Sequence, residues 1–138
     1  MTAAENASFA TPGGKGGWFC TTPMIAVARA VSRKRALEMI FTGEAIDART
    51  ALAWGLVNRV VPAEELEASA ASLAGRLAAG PAGALAAIKR SVNRAQSVGF
   101  EEAIDFEFHL QAALMAKPDF AEGVAAFLEK RAPRFGGA

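Results

Sequence analysis

Between Val31 and Pro62 the chain reads VSRKRALEMIFTGEAIDARTALAWGLVNRVVP. This stretch carries start and stop signals for two helices and a strand. Ser32 is placed to cap a first helix, and Ala36, Leu37, Met39 and Ile40 give it an apolar stripe. That stripe ends at Thr42-Gly43, where glycine can take the left-handed conformation that closes a helix. Asp47 can cap a second helix from Ala48 to Trp54, stopped by Gly55. Leu56, Val57, Val60 and Val61 then form a short extended run halted by Pro62.

Around this unit the pattern is mostly helical. Met1 to Ala10 reads as a short strand and turn. Thr11 to Thr22 (TPGGKGGWFCTT) reads as a loop in which glycines allow close backbone approach. Thr22 and Pro23 are an N-cap and N1 pair for a helix reaching Ala30, apolar almost all round and therefore expected to be buried. Glu64 to Ala79 carries Leu66, Ala70, Leu73 and Leu77 on one face, and Gly80-Pro81 ends it. Ala82 to Gln96 sets Leu85, Ile88 and Val92 against Lys89, Arg90 and Arg94. Phe100 to Ala116 is apolar on two faces, Phe100 and Ile104 on one, Phe106, Leu110 and Leu114 on another, with Phe108 between, so it needs two partners. The last helix, Pro118 to Arg131, places Asp119 and Glu122 early and Lys130 and Arg131 late, as the helix dipole favours.

Composition narrows the function classes. Hydrophobic residues make up 52% of the 138, but much of that is alanine, which favours helix. The fold expected is mostly α with a few short β strands. A net charge of +1 from 15 basic and 14 acidic residues gives no basic face for nucleic acid. No apolar run reaches the length of a membrane span. One cysteine excludes an internal disulfide and a cysteine metal cage, and suits a reducing compartment. With no charged-then-apolar leader in MTAAENAS, the cytoplasm is the expected location.

The ordered elements ALEM-x-FTGE-x-I and A-x-x-x-GLVN-x-VVP, with AAENASFATPGGKGGWFCTTP before them and KPDFAEGVAAFLEKRAPRF after, resemble the enoyl-CoA hydratase/isomerase (crotonase) superfamily. The resemblance covers nearly the whole chain but only the C-terminal half of such a protein, and it aligns Met1 with the end of a strand, so a truncated frame is expected. It implies a crotonase-like (ClpP/crotonase) β/α spiral fold, with residues 1–62 ending the spiral core and 63–138 forming a helical region for trimerisation and CoA contact. Together these would make one incomplete domain. It also implies an acyl-CoA substrate, coenzyme A present only as part of that thioester, no permanently bound cofactor or metal, and a homotrimer or hexamer.

Site residues follow from the same resemblance. Pro12, Gly13, Gly17 and Thr21 match positions lining the acyl pocket. Phe127 and Lys130 match positions contacting the CoA adenine and phosphates, a chemistry that an aromatic face and a cation suit. From the residues alone, Phe127 reads as ordinary core and Lys130 as an exposed cation. The family's hydratases carry a glutamate after the proline, where this chain has Gly13, and glycine has no proton to exchange. Catalytic residues are therefore unknown. Their other glutamate and the oxyanion-hole amides belong to the half not matched here.

Other candidates have plainer readings. Cys20 has no base near it in sequence and reads as a small buried hydrophobe. His109, four residues after Asp105, reads as a partly buried structural histidine. Trp18 and Trp54 read as packing residues, with Trp18 beside the glycines as an alternative pocket wall. Lys89, Arg90 and Arg94 read as a solvated face. Two rival functions stay open: another CoA-thioester reaction, or CoA binding without turnover, and a helical self-association module without ligand.

Overall fold

In the first compact unit of the computed structural model, Met1–Leu73, two very short sheets hold three helices. The model describes residues 1–18 and 22–136; Thr21 and Cys20 lie outside them. β1 (Thr2–Ala4) pairs in parallel with β4 (Arg59–Val61), with Ala3 opposite Val60. β2 (Ser8–Phe9) pairs antiparallel with β3 (Ile46–Asp47). The backbone N–H of Glu5 and the carbonyl of Val61 extend the parallel ladder at 2.8 Å.

The helices of this unit are α1 (Thr22–Ala30), α2 (Arg33–Thr42) and α3 (Ala48–Trp54). Gly43 and Gly55 end α2 and α3 with φ of 58° and 80°, the left-handed values their positions demanded. Asp47 caps α3, its carboxylate accepting the Thr50 N–H at 2.7 Å. Hydrogen bonding from the Thr50 side chain, then from its backbone, holds the Asp47 carboxyl below the usual range. Ser32 stands at the N-cap of α2, but its hydroxyl makes no capping bond.

Two apolar clusters form the core. One joins Val27, Val31, Ala36 and Met39; the other joins Ala3, Ala51 and Val57. Phe9, Ile46 and Leu56 pack against both and weld them together. Fully burying a side chain the size of Val57 stabilises by about 1.5–3 kcal/mol.

Three local expectations are corrected. Leu56 and Val57 are not strand: their N–H groups turn back to the Ala51 carbonyl at 2.9 and 3.3 Å, so the strand begins at Arg59. α1 includes Thr22 and is not buried all round, since only Val27 is buried and Ile25 is 55% exposed. Apolar composition says what a helix can bury; this one packs on α2, and only Val27 and, in part, Met24 are covered. Pro12–Gly16 is a 3-10 helix, not an irregular loop.

α4 (Leu66–Ala78) follows a 3-10 turn at Ala63–Glu65, and the division between the two compact units falls inside it. Leu77, expected on its covered face, is exposed.

The second unit, Ala74–Ala138, holds α5 (Ala82–Ala95), α6 (Phe100–Met115) and α7 (Pro118–Leu128). α6 packs on both α5 and α7. It half-buries Phe106, Leu110 and Leu114 and exposes Phe100 and Ile104, the two-faced division its spacing predicts; Phe108, expected between the faces, is exposed as well. α5 departs from expectation. Its buried side is Ala87, flanked by half-buried Ala84, Leu85 and Ser91, so Leu85 of the expected stripe is partly covered while Ile88 and Val92 are exposed. Small residues let helices approach closely, so Ala87 is the residue fully buried on this helix, ahead of the bulkier Ile88 and Val92. Arg94 pairs with Glu102, and Lys89 and Arg90 are solvated as expected.

Candidate functional site

In the first unit the candidate residues sit on the glycine-rich 3-10 helix. Pro12 opens it with φ pre-set, and Gly17 closes it at φ 74°, donating its N–H to the Gly13 and Gly14 carbonyls. The Trp18 N–H also reaches the Gly13 carbonyl, at 3.1 Å. Two features fix this turn on α2. The buried Thr11 hydroxyl donates to the Met39 carbonyl at 3.1 Å. A Cβ at Gly14 would stand 2.8 Å from the Ile40 carbonyl oxygen, so only glycine allows that approach. Pro12, Gly13 and Gly17 are thus brought together on one rigid turn. Trp18 is 78% exposed beside it, not packed.

In the second unit Phe127 projects at the end of α7, 81% exposed, which overturns the core reading of this ring. It walls an apolar groove of about 460 Å³ shared with Pro81, Leu114, Phe120, Val124 and Phe135. A burial-minded reading of the sequence misses this groove, because its walls come from three helices and the segment after α7.

Lys130 ends α7 in the left-handed region, φ 54°, the one non-glycine residue there among the described residues. Its N–H donates to the Phe127 carbonyl at 3.2 Å and that of Arg131 to the Ala126 carbonyl at 3.0 Å. These two bonds make a Schellman closure with lysine where glycine is usual. Arg131 grips Glu122 with both terminal nitrogens, at 2.6 and 2.9 Å, and Glu129 with Nε at 2.6 Å. The Arg134 N–H adds a bond to Glu122 at 2.7 Å, and the Gly136 N–H one to Asp119 at 3.0 Å. Hydrogen bonds from the Arg131 side chain, then the Arg134 backbone, bring the Glu122 carboxyl from its ordinary 4.5 to about 2. None of this clasp was foreseen beyond the dipole-favoured placement of its charges.

The remaining candidates separate. His109 is exposed, not partly buried, and its Nδ1 donates to the Asp105 carbonyl at 2.7 Å. Trp54 packs against the core, with the Arg35 guanidinium 4.9 Å from its ring centroid. Among the described residues no cluster of three or more His, Cys, Asp or Glu could hold a metal ion, and no single helix is long and apolar enough to cross a membrane.

A short β/α core followed by packed helices is the architecture of a crotonase-type protein, and solved structures match it closely. An enoyl-CoA hydratase of Mycobacterium smegmatis superposes with a TM-score of 0.91 at 39% identity, over 97% of this chain and 52% of that one. The enoyl-CoA hydratase/isomerase family model matches residues 1–138; the chain belongs to that family. The mitochondrial enoyl-CoA hydratase domain-containing protein 3 of Mus musculus is 40% identical over 131 residues, covering 95% of this chain and 44% of its own length. The trans-2-decenoyl-acyl-carrier-protein isomerase of Streptococcus mutans is 39% identical over 109 residues, 79% of this chain and 41% of its own length. The chain thus spans somewhat under half the length of these curated relatives.

Proposed function

We propose that this chain binds an acyl-CoA thioester and that its contribution is recognition, not hydration. The observation that carries the reading is Phe127: a phenyl ring left 81% exposed at the wall of an apolar groove, with a lysine three residues on. A flat apolar face offers stacking to adenine, and the Lys130 ammonium offers charge to phosphate. In the other unit, the turn bearing Pro12, Gly13 and Gly17 is read as acyl-pocket backbone, and Thr21 is assigned to the same pocket from the family resemblance alone. Coenzyme A enters only as part of the substrate, with no resident cofactor. Because position 13 is glycine, a hydration step has no acid/base group there, and a different reaction on the thioester, or binding without turnover, is the favoured alternative.

The exposed outer face of α6, with Phe100 at 81% and Phe108 at 70%, favours a second property, self-association into a trimer or hexamer. The single cysteine suits a reducing compartment such as the cytoplasm.

The recognition reading is tested by comparing an acyl-CoA with the corresponding acyl-pantetheine, which lacks the nucleotide, in titrations of the 138-residue chain. The CoA ester is expected to bind at least about tenfold tighter, the equivalent of one good interaction. Equal affinity would contradict the reading.

A further inference from the structure

α1 and α2 pack together with only Val31 and Ser32 between them. Along one side of the pair runs a groove of about 550 Å³, a volume in the range of small-molecule sites. α2 lines it with Arg33, Ala36, Leu37, Ile40 and Phe41. That spacing is one continuous helix face. It begins in a guanidinium and runs apolar to a phenyl ring about 12 Å further along, at 1.5 Å per residue. α1 repeats the polarity: Arg29, in its last turn, lines the groove near the connection, and Ile25 lines it a turn further away. Among the described residues no carboxylate lines the groove.

The positive charge at the connecting end is not neutralised within the fold. Arg35 reaches a carboxylate, Glu38 at 3.2 Å, but among the described residues Arg29 and Arg33 make no ion pair. Arg33, Lys34 and Arg35 also open α2 with no acidic residue in its first turn, the reverse of the charge that the helix dipole favours there. The apolar end is equally uncovered. Ile25 is 55% and Phe41 74% exposed, while Leu37 and Ile40 are half-buried between them and the arginines. A demand for an anion and a demand for apolar surface thus lie end to end in one groove.

We infer that the α1–α2 groove binds a straight-chain acyl carboxylate, with the carboxylate taken by Arg29 and Arg33 and the chain laid along Leu37 and Ile40 toward Ile25 and Phe41. The guanidinium fork matches a carboxylate, and each methylene placed on the apolar residues is withdrawn from water. Concavity decides the occupant. A flat bilayer surface meets the exposed rim but not half-buried Leu37 and Ile40, whereas a single chain reaches them. The site does not rest on the CoA reading: Pro12, Gly13 and Gly17 do not line this groove, and Phe127 and Lys130 belong to the second unit.

The test titrates the full chain with decanoate, octanoate and butanoate below their micellar concentrations, and with decanol, which keeps the chain but lacks the charge. Two variants accompany it: the double variant Arg29→Gln, Arg33→Gln, and Ala28→Leu, which fills an exposed position on the groove wall. Decanoate is expected to bind saturably and to shift the Ala36 and Ile40 amide resonances, with affinity falling up to about fourfold per methylene removed. Decanol with the parent, and decanoate with the double variant, are each expected to bind about tenfold more weakly, as loss of a charged hydrogen bond implies. Ala28→Leu is expected to weaken decanoate with the arginines in place. Decanol binding as tightly as decanoate, or an unchanged affinity in the folded double variant, overturns the inference. So does butanoate matching decanoate, or amide shifts confined to the second unit. No decanoate binding by the folded parent overturns it outright, and retention on anionic phospholipid vesicles would then assign this face to a bilayer. The ligand series decides the matter by itself if a variant fails to fold.

Discussion

The Thr11 hydroxyl donates to the Met39 carbonyl at 3.1 Å, tying the start of the glycine-rich turn to a helix twenty-eight residues further on. The same carbonyl also accepts the Gly43 N–H at 3.0 Å, so it keeps one partner if the hydroxyl is removed. Thr11→Val should therefore cost about 1 kcal/mol, the net value of a buried hydrogen bond. Urea unfolding measures it, and faster amide exchange at Gly13–Gly17 should accompany it. Unchanged exchange there would mean that Gly14 packing alone anchors the turn.

Asp47 gives a prediction with a pH signature. Its carboxyl is held below the ordinary 3.8 by Thr50. Because the folded value is the lower one, its contribution is present above the unfolded value and is lost as pH falls below it. Asp47→Ala should lower the urea midpoint at pH 7. Asp47→Asn, which keeps an acceptor for the Thr50 N–H, should lower it less and remove this part of the acid sensitivity. Equal effects of the two variants would contradict the capping account.

Glu122 extends the sign to a lower range. Its folded value is about 2 against an ordinary 4.5, so the clasp after α7 should be intact above pH 4.5 and release as pH falls through about 2. The Arg134 amide resonance followed from pH 6 downward reads the release. A midpoint near 4.5 would show that Arg131 does not hold this carboxylate.

Lys130→Gly should raise stability by about 1 kcal/mol, since glycine adopts φ 54° without a Cβ penalty. Thermal unfolding checks it. The same variant removes the cation, so a more stable protein that binds CoA less well is the expected pair of results. A destabilised variant would mean that the lysine stem contributes packing that outweighs the strain.

Legibility in the sequence followed local chemistry. The caps and stops at Asp47, Gly43 and Gly55 were readable because each depends on a residue and its immediate neighbours. The two faces of α6 were readable because helical spacing alone separates Phe100 and Ile104 from Phe106, Leu110 and Leu114. Expectations failed where an absent or unexpected neighbour decided the outcome. α1 is apolar enough to be buried but is covered on one side, and α5 packs through Ala87 although Ile88 and Val92 are larger. Leu56 and Val57 have strand-forming side chains, yet the left-handed Gly55 turns their amides back to Ala51. For the candidate site, the family resemblance pointed to Phe127 and Lys130, where the residues alone pointed to core and surface. Exposure of the Phe127 ring removes the core reading. The Arg131 clasp was invisible because its bonds join residues nine and twelve apart across a turn whose geometry only the fold supplies.

The most direct measurement for recognition of a CoA thioester is calorimetric titration of the chain with an acyl-CoA, beside its Phe127→Ala variant. The ring is 81% exposed, so its removal should leave the fold intact, and a circular dichroism melt run in parallel verifies that. The account predicts saturable binding that weakens by at least about tenfold in Phe127→Ala. Equal affinity in both proteins, or no binding by the folded chain, would contradict it.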